Sequence, residues 1–359
     1  MPASIDSTDQ RYCRAVLPSV SRTFALNIRL LSGTFGDSVR TAYLLCRAAD
    51  ALEDSWPVSG ADAVRARFEL FLAALNRDQD APARLARDAA SFARAGADLD
   101  LVAHLPRVLG AYRALPDANR EAVREGVETL ARGMCRFGAR AAERPPDAPY
   151  LDTEEELRSY CFVVAGCVGL MLTSLFEIEH GLRSSHDSAR RMALAPAVGE
   201  ALQLTNILLD WPSDIRRGRC YLPASWLREM NLTPADLVGR DREDVRRLAV
   251  RLETMAFGAL ARVPDYLDGI PVRCVRYRLF CMWPAVWALA SLRHARRSPE
   301  FPWGAKRPRM TRSQLLWGAV ASVLVSPSSL LVRRLFQSAR VSDLVSDSPV
   351  ARLDTIGLK

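Results

Sequence analysis

Histidine is scarce in this 359-residue chain, where only His104, His180, His186 and His294 occur. Glu177 and His180 make a single Glu-x-x-His. A ferritin-like di-metal bundle needs two such pairs and further glutamates, so that class drops out. The eight cysteines include no C-x-x-C pair and sit mostly inside apolar runs, which reads as reduced thiols in a cytoplasmic protein. No glycine-rich loop of the Walker or dinucleotide type is present. A serine or cysteine triad has no partner set, and no nucleic-acid-binding motif occurs. The polar stretch from Met1 to Arg11 has no apolar h-region, so no signal peptide is visible. Period-2 alternation is missing as well, which excludes strands and leaves an all-α fold.

What is present suits a soluble globular protein, with 49% hydrophobic and 25% charged residues and ample material for a core. The expectation is one domain over 1–340 and a poorly ordered tail over 341–359. A net charge of +8 favours anionic partners, either phosphorylated small molecules or an acidic membrane surface, since no motif supports nucleic acid. Leu315 to Val332 is largely apolar, but Ser326-Pro327-Ser328-Ser329 interrupts it well short of the roughly 20 residues of a spanning helix. It predicts a buried core helix, with contact at a membrane surface as the alternative.

The helical pattern opens at Tyr12, Ala15 and Val16 and is expected to break at Pro18. Gly33 and Gly36 mark a turn, and a helix follows from about Asp37 to Asp54. Residues 61–143 are Ala/Arg/Leu-rich helices, and Arg144 to Pro149 is a surface loop. Thr153 with Glu156 is a capping-box pattern that starts a helix running through Leu172. Its glycines serve either close packing or room for a ligand. A further helix spans about Ala197 to Asp210 and is expected to kink or end at Pro212. Two more helices cover about 242–260 and 272–292.

Chemistry concentrates in two acidic clusters. Asp50 and Asp54 share a helix face with Arg47 and Tyr43, a stripe aimed at a hard metal, a phosphate or water. Gln203, Asn206 and Asp210, at 0, +3 and +7, share another face, and Asp214 lies one turn on. Asp50, Glu53, Asp54, Asn206, Asp210 and Asp214 are oxygen donors of the kind that hold Mg²⁺ together with ligand phosphates. Arg47, Arg217 and Arg219 would share the phosphate charge. The loop Arg216 to Pro223 reads either as a phosphate-closing loop or as a helix stop with C-terminal cations. Arg293 to Arg312 is a basic stretch, either a solvated loop or a binder of a phosphorylated cofactor or acidic lipid.

These residues resemble the squalene and phytoene synthases, head-to-head prenyl transferases of the all-α isoprenoid synthase fold. The similarity runs from about Val20 to about Gln337, with the best matches at Ser21 to Ala25, Tyr43 to Asp54, Tyr160 to Gly169 and Gln203 to Asp210. It implies that Asp50, Asp54, Asp210 and Asp214 hold Mg²⁺ against substrate diphosphates, with Arg22 and Arg47 as diphosphate contacts. It assigns Tyr160 to proton abstraction, Phe24 to the prenyl pocket and Phe280 to cation stabilisation. Ser21, Tyr43, Val164, Gly169, Gln203, Asn206, Arg217, Arg219 and Tyr221 fall on the substrate side. Lys306, Arg307 and Arg309 look like a segment that squalene synthases turn toward NADPH. The second motif departs from the family pattern: Leu209 replaces an arginine, Ser213 an acidic residue, and Pro212 threatens the placement of Asp214. The implied reaction joins two farnesyl diphosphates through presqualene diphosphate to squalene, in a monomer with peripheral membrane contact. Rival readings are an enzyme stopping at presqualene diphosphate, a phytoene or dehydrosqualene synthase, and a non-catalytic isoprenoid-binding subunit.

Overall fold

In the computed structural model the described residues are 8–57, 59–76, 78–92, 96–145, 148–304 and 307–336, without the side chains of Arg22 and Arg312. Lys306 and the expected tail lie outside them. Every regular element among the described residues is helical. The chain divides into two compact units, the first built from residues up to Arg144 with Cys167–Ser188, the second from Pro145–Gly166 and the residues from Ala189 onward.

The first unit contains α1 (Thr8–Val20), α2 (Arg22–Ile28), α3 (Gly33–Asp54), α4 (Ala61–Leu75), α5 (Ala81–Ala90), α6 (Ala97–Ala103), α7 (Leu105–Arg113) and α8 (Asp117–Ala142). Helix α1 does not break at Pro18, which sits inside its last turn. Helix α3 starts earlier than expected. Gly33 takes a positive φ of 63° at its first position, and Gly36 lies within the helix, where a Cβ would come 2.8 Å from the Leu31 carbonyl. Ala42, Leu44, Leu45, Ala48, Ala49 and Leu52 are all fully buried, so α3 is the central helix of this unit, packed on α4, α6, α7 and α8.

The run Glu154–His180 comprises α9 (Glu154–Cys161), a π-turn (Phe162–Gly166) and α10 (Cys167–His180). Thr153 caps it, accepting from the Glu156 N–H at 3.3 Å. The Glu156 carboxylate accepts instead from the Asp152 N–H, at 2.7 Å, so the reciprocal half of the capping box is shifted by one residue. Helix α10 packs in the first unit so closely on α8 that a Cβ on Gly126 would fall 2.6 Å from the Met171 sulfur.

The second unit continues with α11 (Ser188–Arg216), α12 (Ala224–Glu229), α13 (Glu243–Leu260), α14 (Val263–Asp268), α15 (Val275–Arg296), α16 (Arg312–Val325) and α17 (Ser329–Phe336). The helix does not end at Pro212, one of the two outcomes expected there. Helix α11 passes through both Pro196 and Pro212. An interior proline costs about 3 kcal/mol. Here the buried Trp211 next to it, donating its indole N–H to the Leu237 carbonyl at 3.2 Å, offsets a loss of that order. Near its start, α11 approaches the π-turn so closely that a Cβ on Gly199 would lie 2.1 Å from the Ala165 carbonyl oxygen. Close packing is therefore what the glycines at this contact serve.

The apolar segment from Leu315 is not the buried core helix expected of it. Leu316, Trp317 and Leu324 of α16 are 65%, 72% and 72% exposed. All eight cysteines are free, and burial pushes thiols such as Cys13 up to about 12.

A cavity of about 330 Å³ in the second unit is lined by Glu253, Arg296, Arg297, Phe301 and Trp303, among others. Burial pushes Glu253 up from 4.5 to about 7, against the opposing charge of Arg296 at 3.2 Å. Between those two values the unfolded carboxyl ionises while the folded one stays protonated, so stability falls as pH rises through that window and is constant above it. Glu253→Gln should therefore change little at about pH 4 and stabilise above pH 7 by on the order of 2 kcal/mol. Urea midpoints at the two pH values check this. Gly199→Ala should destabilise by about 1–3 kcal/mol, whereas Gly258→Ala, on an exposed turn of α13 with nothing near its Cβ, should stabilise by about 0.5–1 kcal/mol.

Candidate active site

Helix α3 buries almost every residue of its last three turns. The positions left open are Tyr43, Arg47, Asp50 and Asp54, spaced at 0, +4, +7 and +11. That is one face of a 3.6-residue helix. Arg47 is fixed by a bidentate pair with Asp98 of α6, Nε to Oδ1 at 3.0 Å and Nη2 to Oδ2 at 2.7 Å, while its Nη1 lies 3.5 Å from Asp50. A third of the Asp50 side chain is accessible. Desolvation nevertheless dominates and pushes its carboxyl up to about 7, with Arg47 opposing and Asp54 and Asp98 adding to the rise. The ionised form of Asp50 is thus disfavoured where it stands, and a cation placed beside it would favour that form.

At the N-terminal end of this stripe, the Phe24 ring lies 5.6 Å from that of Tyr43. Ser21 caps α2 by accepting from the Phe24 N–H at 3.2 Å and also hydrogen-bonds Tyr43, whose hydroxyl pKa is raised by burial. Arg22 begins the same helix, but its side chain is outside the description. Glu53 points away from the open face. It is buried, and its charge acts on the buried Arg67 of α4.

The second unit repeats the pattern on α11. Leu204, Thr205, Ile207, Leu208, Leu209 and Trp211 are buried, while Gln203, Asn206, Asp210 and Asp214 stay open at 0, +3, +7 and +11. Because α11 runs through Pro212, Asp214 stays one turn from Asp210. Arg307 reaches back to Asp210, its Nη1 2.6 Å from both carboxylate oxygens. The chain leaves α11 through Gly218, at a positive φ of 74°, and the Arg219 N–H donates to the Asp214 carbonyl at 2.9 Å. Arg217 is exposed and Arg219 half-buried.

That turn delivers Tyr221 onto Tyr160 of α9. Their rings stack at 5.2 Å, and Tyr150, which the sequence reading passed over, closes the cluster at 5.9 Å from Tyr160 and 5.0 Å from Tyr221. The Tyr150 N–H donates to the Cys220 carbonyl at 2.6 Å, locking the two segments together. Tyr160 is buried, Val164 lies within the π-turn and Gly169 on α10. Phe280 is buried on α15, stacked on Tyr277, whose hydroxyl lies 2.8 Å from that of Tyr266.

Residues 17–314 match the sequence model of the family described as squalene/phytoene synthase. The chain belongs to that family. It is 30% identical over 261 residues to the bifunctional lycopene cyclase/phytoene synthase of Podospora anserina, a match covering 71% of this chain and 42% of that protein. The match thus spans less than half of that relative's length. The squalene synthase of Candida albicans is 24% identical over 315 residues, covering 86% of this chain and 67% of that one. In structure the chain is similar to TcSQS in its complex with the ligand E5700, with a TM-score of 0.73 and 24% identity over 97% of this chain and 99% of that one. The last likeness carries the fold.

For a squalene/phytoene synthase family member, the donor set suits Mg²⁺ in one particular mode. Among the described residues no three His, Cys, Asp or Glu side chains converge into a complete metal cage. Each stripe offers two aspartates, and Mg²⁺ commonly takes one or two carboxylates and completes its shell with water and substrate phosphate. Toward a phosphorylated cofactor, Arg309 is exposed, whereas Arg307 is engaged by Asp210. Arg307→Ala removes the cation that Asp210 now holds. Mn²⁺, followed by electron paramagnetic resonance without substrate, should then bind roughly tenfold more tightly, about 1.4 kcal/mol; unchanged affinity would show that Arg307 and a metal do not compete there.

Proposed function

We propose that the chain condenses two farnesyl diphosphates head to head through presqualene diphosphate and reduces the product to squalene. The observation that supports this is the pair of stripes, Tyr43-Arg47-Asp50-Asp54 and Gln203-Asn206-Asp210-Asp214, each left open along one face of its helix. Mg²⁺, with Asp50 and Asp54 as ligands from the one stripe and Asp210 and Asp214 from the other, would neutralise the charge that develops on a departing diphosphate. Arg47, oriented by Asp98, shares that charge through its guanidinium, with Arg22, Arg217 and Arg219 as further contacts.

The allylic cation left behind is captured by the double bond of the second chain, and a proton is lost near the Tyr160 hydroxyl. Such cations survive only where water is excluded. Phe24, Val164 and Gly169 are the lining expected against the prenyl chains, and the Phe280 ring face stabilises positive charge. NADPH would supply hydride to the second half-reaction, and Lys306, Arg307 and Arg309 are the residues that would hold its phosphates. The protein acts as a cytoplasmic monomer in peripheral contact with a membrane. A second reading, release of presqualene diphosphate, is favoured by the engagement of Arg307 with Asp210 rather than with a cofactor phosphate.

Incubation with Mg²⁺ and farnesyl diphosphate, with and without NADPH, followed by mass spectrometry, separates these outcomes. Squalene formed only with NADPH supports the proposal, and presqualene diphosphate accumulating despite NADPH sinks it in favour of the second reading. Phytoene from the C20 substrate, or dehydrosqualene, would move the chain to the phytoene-type branch. Asp50→Asn should abolish turnover while helical circular dichroism is retained; full activity in that variant removes Asp50 from the site.

A further inference from the structure

Helix α16 is packed inside out. Its inward side carries Gly318, Ser322 and Ser326, at i, i+4 and i+8, beside the half-buried Leu315 and Ala319, so only one large residue lies on that side. The small residues let the helix lie close against α15, where a Cβ on Gly318 would sit 3.5 Å from the Trp287 ring. The contact is fixed by hydrogen bonds to its backbone. Trp287 Nε1 donates to the Leu315 carbonyl and Arg278 Nε to the Ser326 carbonyl, each at 3.1 Å. Ser322 and Ser326 are buried, while Leu316, Trp317, Val320, Val323 and Leu324 form one exposed arc on the opposite side. Leu330 and Leu331 of α17 are exposed as well.

Core packing does not explain this arrangement, because the bulky apolar residues are the ones outside. An exposed arc of this size marks a contact surface. Its occupant is indicated by charge. From Phe301 to Phe336 the sequence contains no Asp or Glu, but it has Lys306 and five arginines. Arg307 and Arg333 turn to Asp210 and to Asp265 and Asp268, whereas Arg309 and Arg334 are exposed. One tryptophan among aliphatic residues, with the exposed Arg309 and Arg334 in the flanking sequence, suits the boundary between acyl chains and anionic headgroups. The arc offers aliphatic surface without polar anchors, which a protein partner would require for register and a bilayer does not. At 14 residues α16 is about 21 Å long, too short to span the roughly 30 Å hydrocarbon core. It can only lie on the surface.

We propose that the outer face of α16 docks this protein onto a bilayer containing anionic lipid. The inference gives a surface to the peripheral contact stated above and stands independently of the reaction. Its test is cosedimentation with vesicles of phosphatidylcholine alone and of phosphatidylcholine with phosphatidylglycerol. The wild-type chain should pellet with the phosphatidylglycerol vesicles, and the tryptophan emission should shift to the blue, a shift that Trp317→Phe removes. Trp317→Asp with Leu324→Asp should weaken binding at least tenfold, with helical circular dichroism and turnover in free solution retained. Should the double variant unfold, Leu316→Ser with Leu324→Ser provides the same comparison. Binding unaffected by these substitutions, or equal on both vesicle types, overturns the proposal. So does a concentration-dependent dimer that the substitutions dissolve, since the face would then belong to a second copy. Loss of turnover without loss of vesicle binding would count against the reaction and leave the docking surface standing.

Discussion

A carboxylate among apolar helices is costly to desolvate unless a cation shares its charge, and this constraint organises both acidic helices. On α3 the cation is Arg47, itself divided between Asp50 and a firmer bidentate hold on Asp98. Arg47 offsets the burial of Asp50 only in part, and desolvation still raises that carboxyl to about 7. On α11 the cation is Arg307, delivered from a segment 97 residues downstream. A cation added beside Asp50 would lower the cost of its charge.

Most of the architecture was legible because helical periodicity and buried leucines agree over long stretches. Tyr43, Arg47, Asp50 and Asp54 could be placed on one face by counting alone, as could Gln203, Asn206 and Asp210. The misreadings came where a local rule met a tertiary contact. Pro212 is a helix breaker on propensity, but a buried, hydrogen-bonded Trp211 beside it outweighs that preference. Asp98 escaped notice because it lies 51 residues from Arg47 and belongs to no periodic pattern that includes it. Glu53 resembled a ligand by proximity in sequence, yet helical phase turns it toward Arg67. Tyr150 sits in a loop before a helix, where nothing but the fold brings it to Tyr160 and Tyr221.

Membership of the squalene/phytoene synthase family fits this pattern of legibility, since two of the segments that matched best, Tyr43 to Asp54 and Gln203 to Asp210, are those that carry the stripes. Tyr160 is held by aromatic contacts with Tyr150 and Tyr221, which fix its ring from two sides.

The packing of α16 on its glycine and serines has a consequence for how this protein can drift in sequence. In an ordinary core helix the leucines are constrained and the serines free. Here the order is reversed. Ser322 and Ser326 are buried where added volume would have to displace neighbours, while Leu316, Trp317 and Leu324 could become polar with little loss of packing. Any apolar character that persists on the outer arc across related chains must then be maintained by something other than folding.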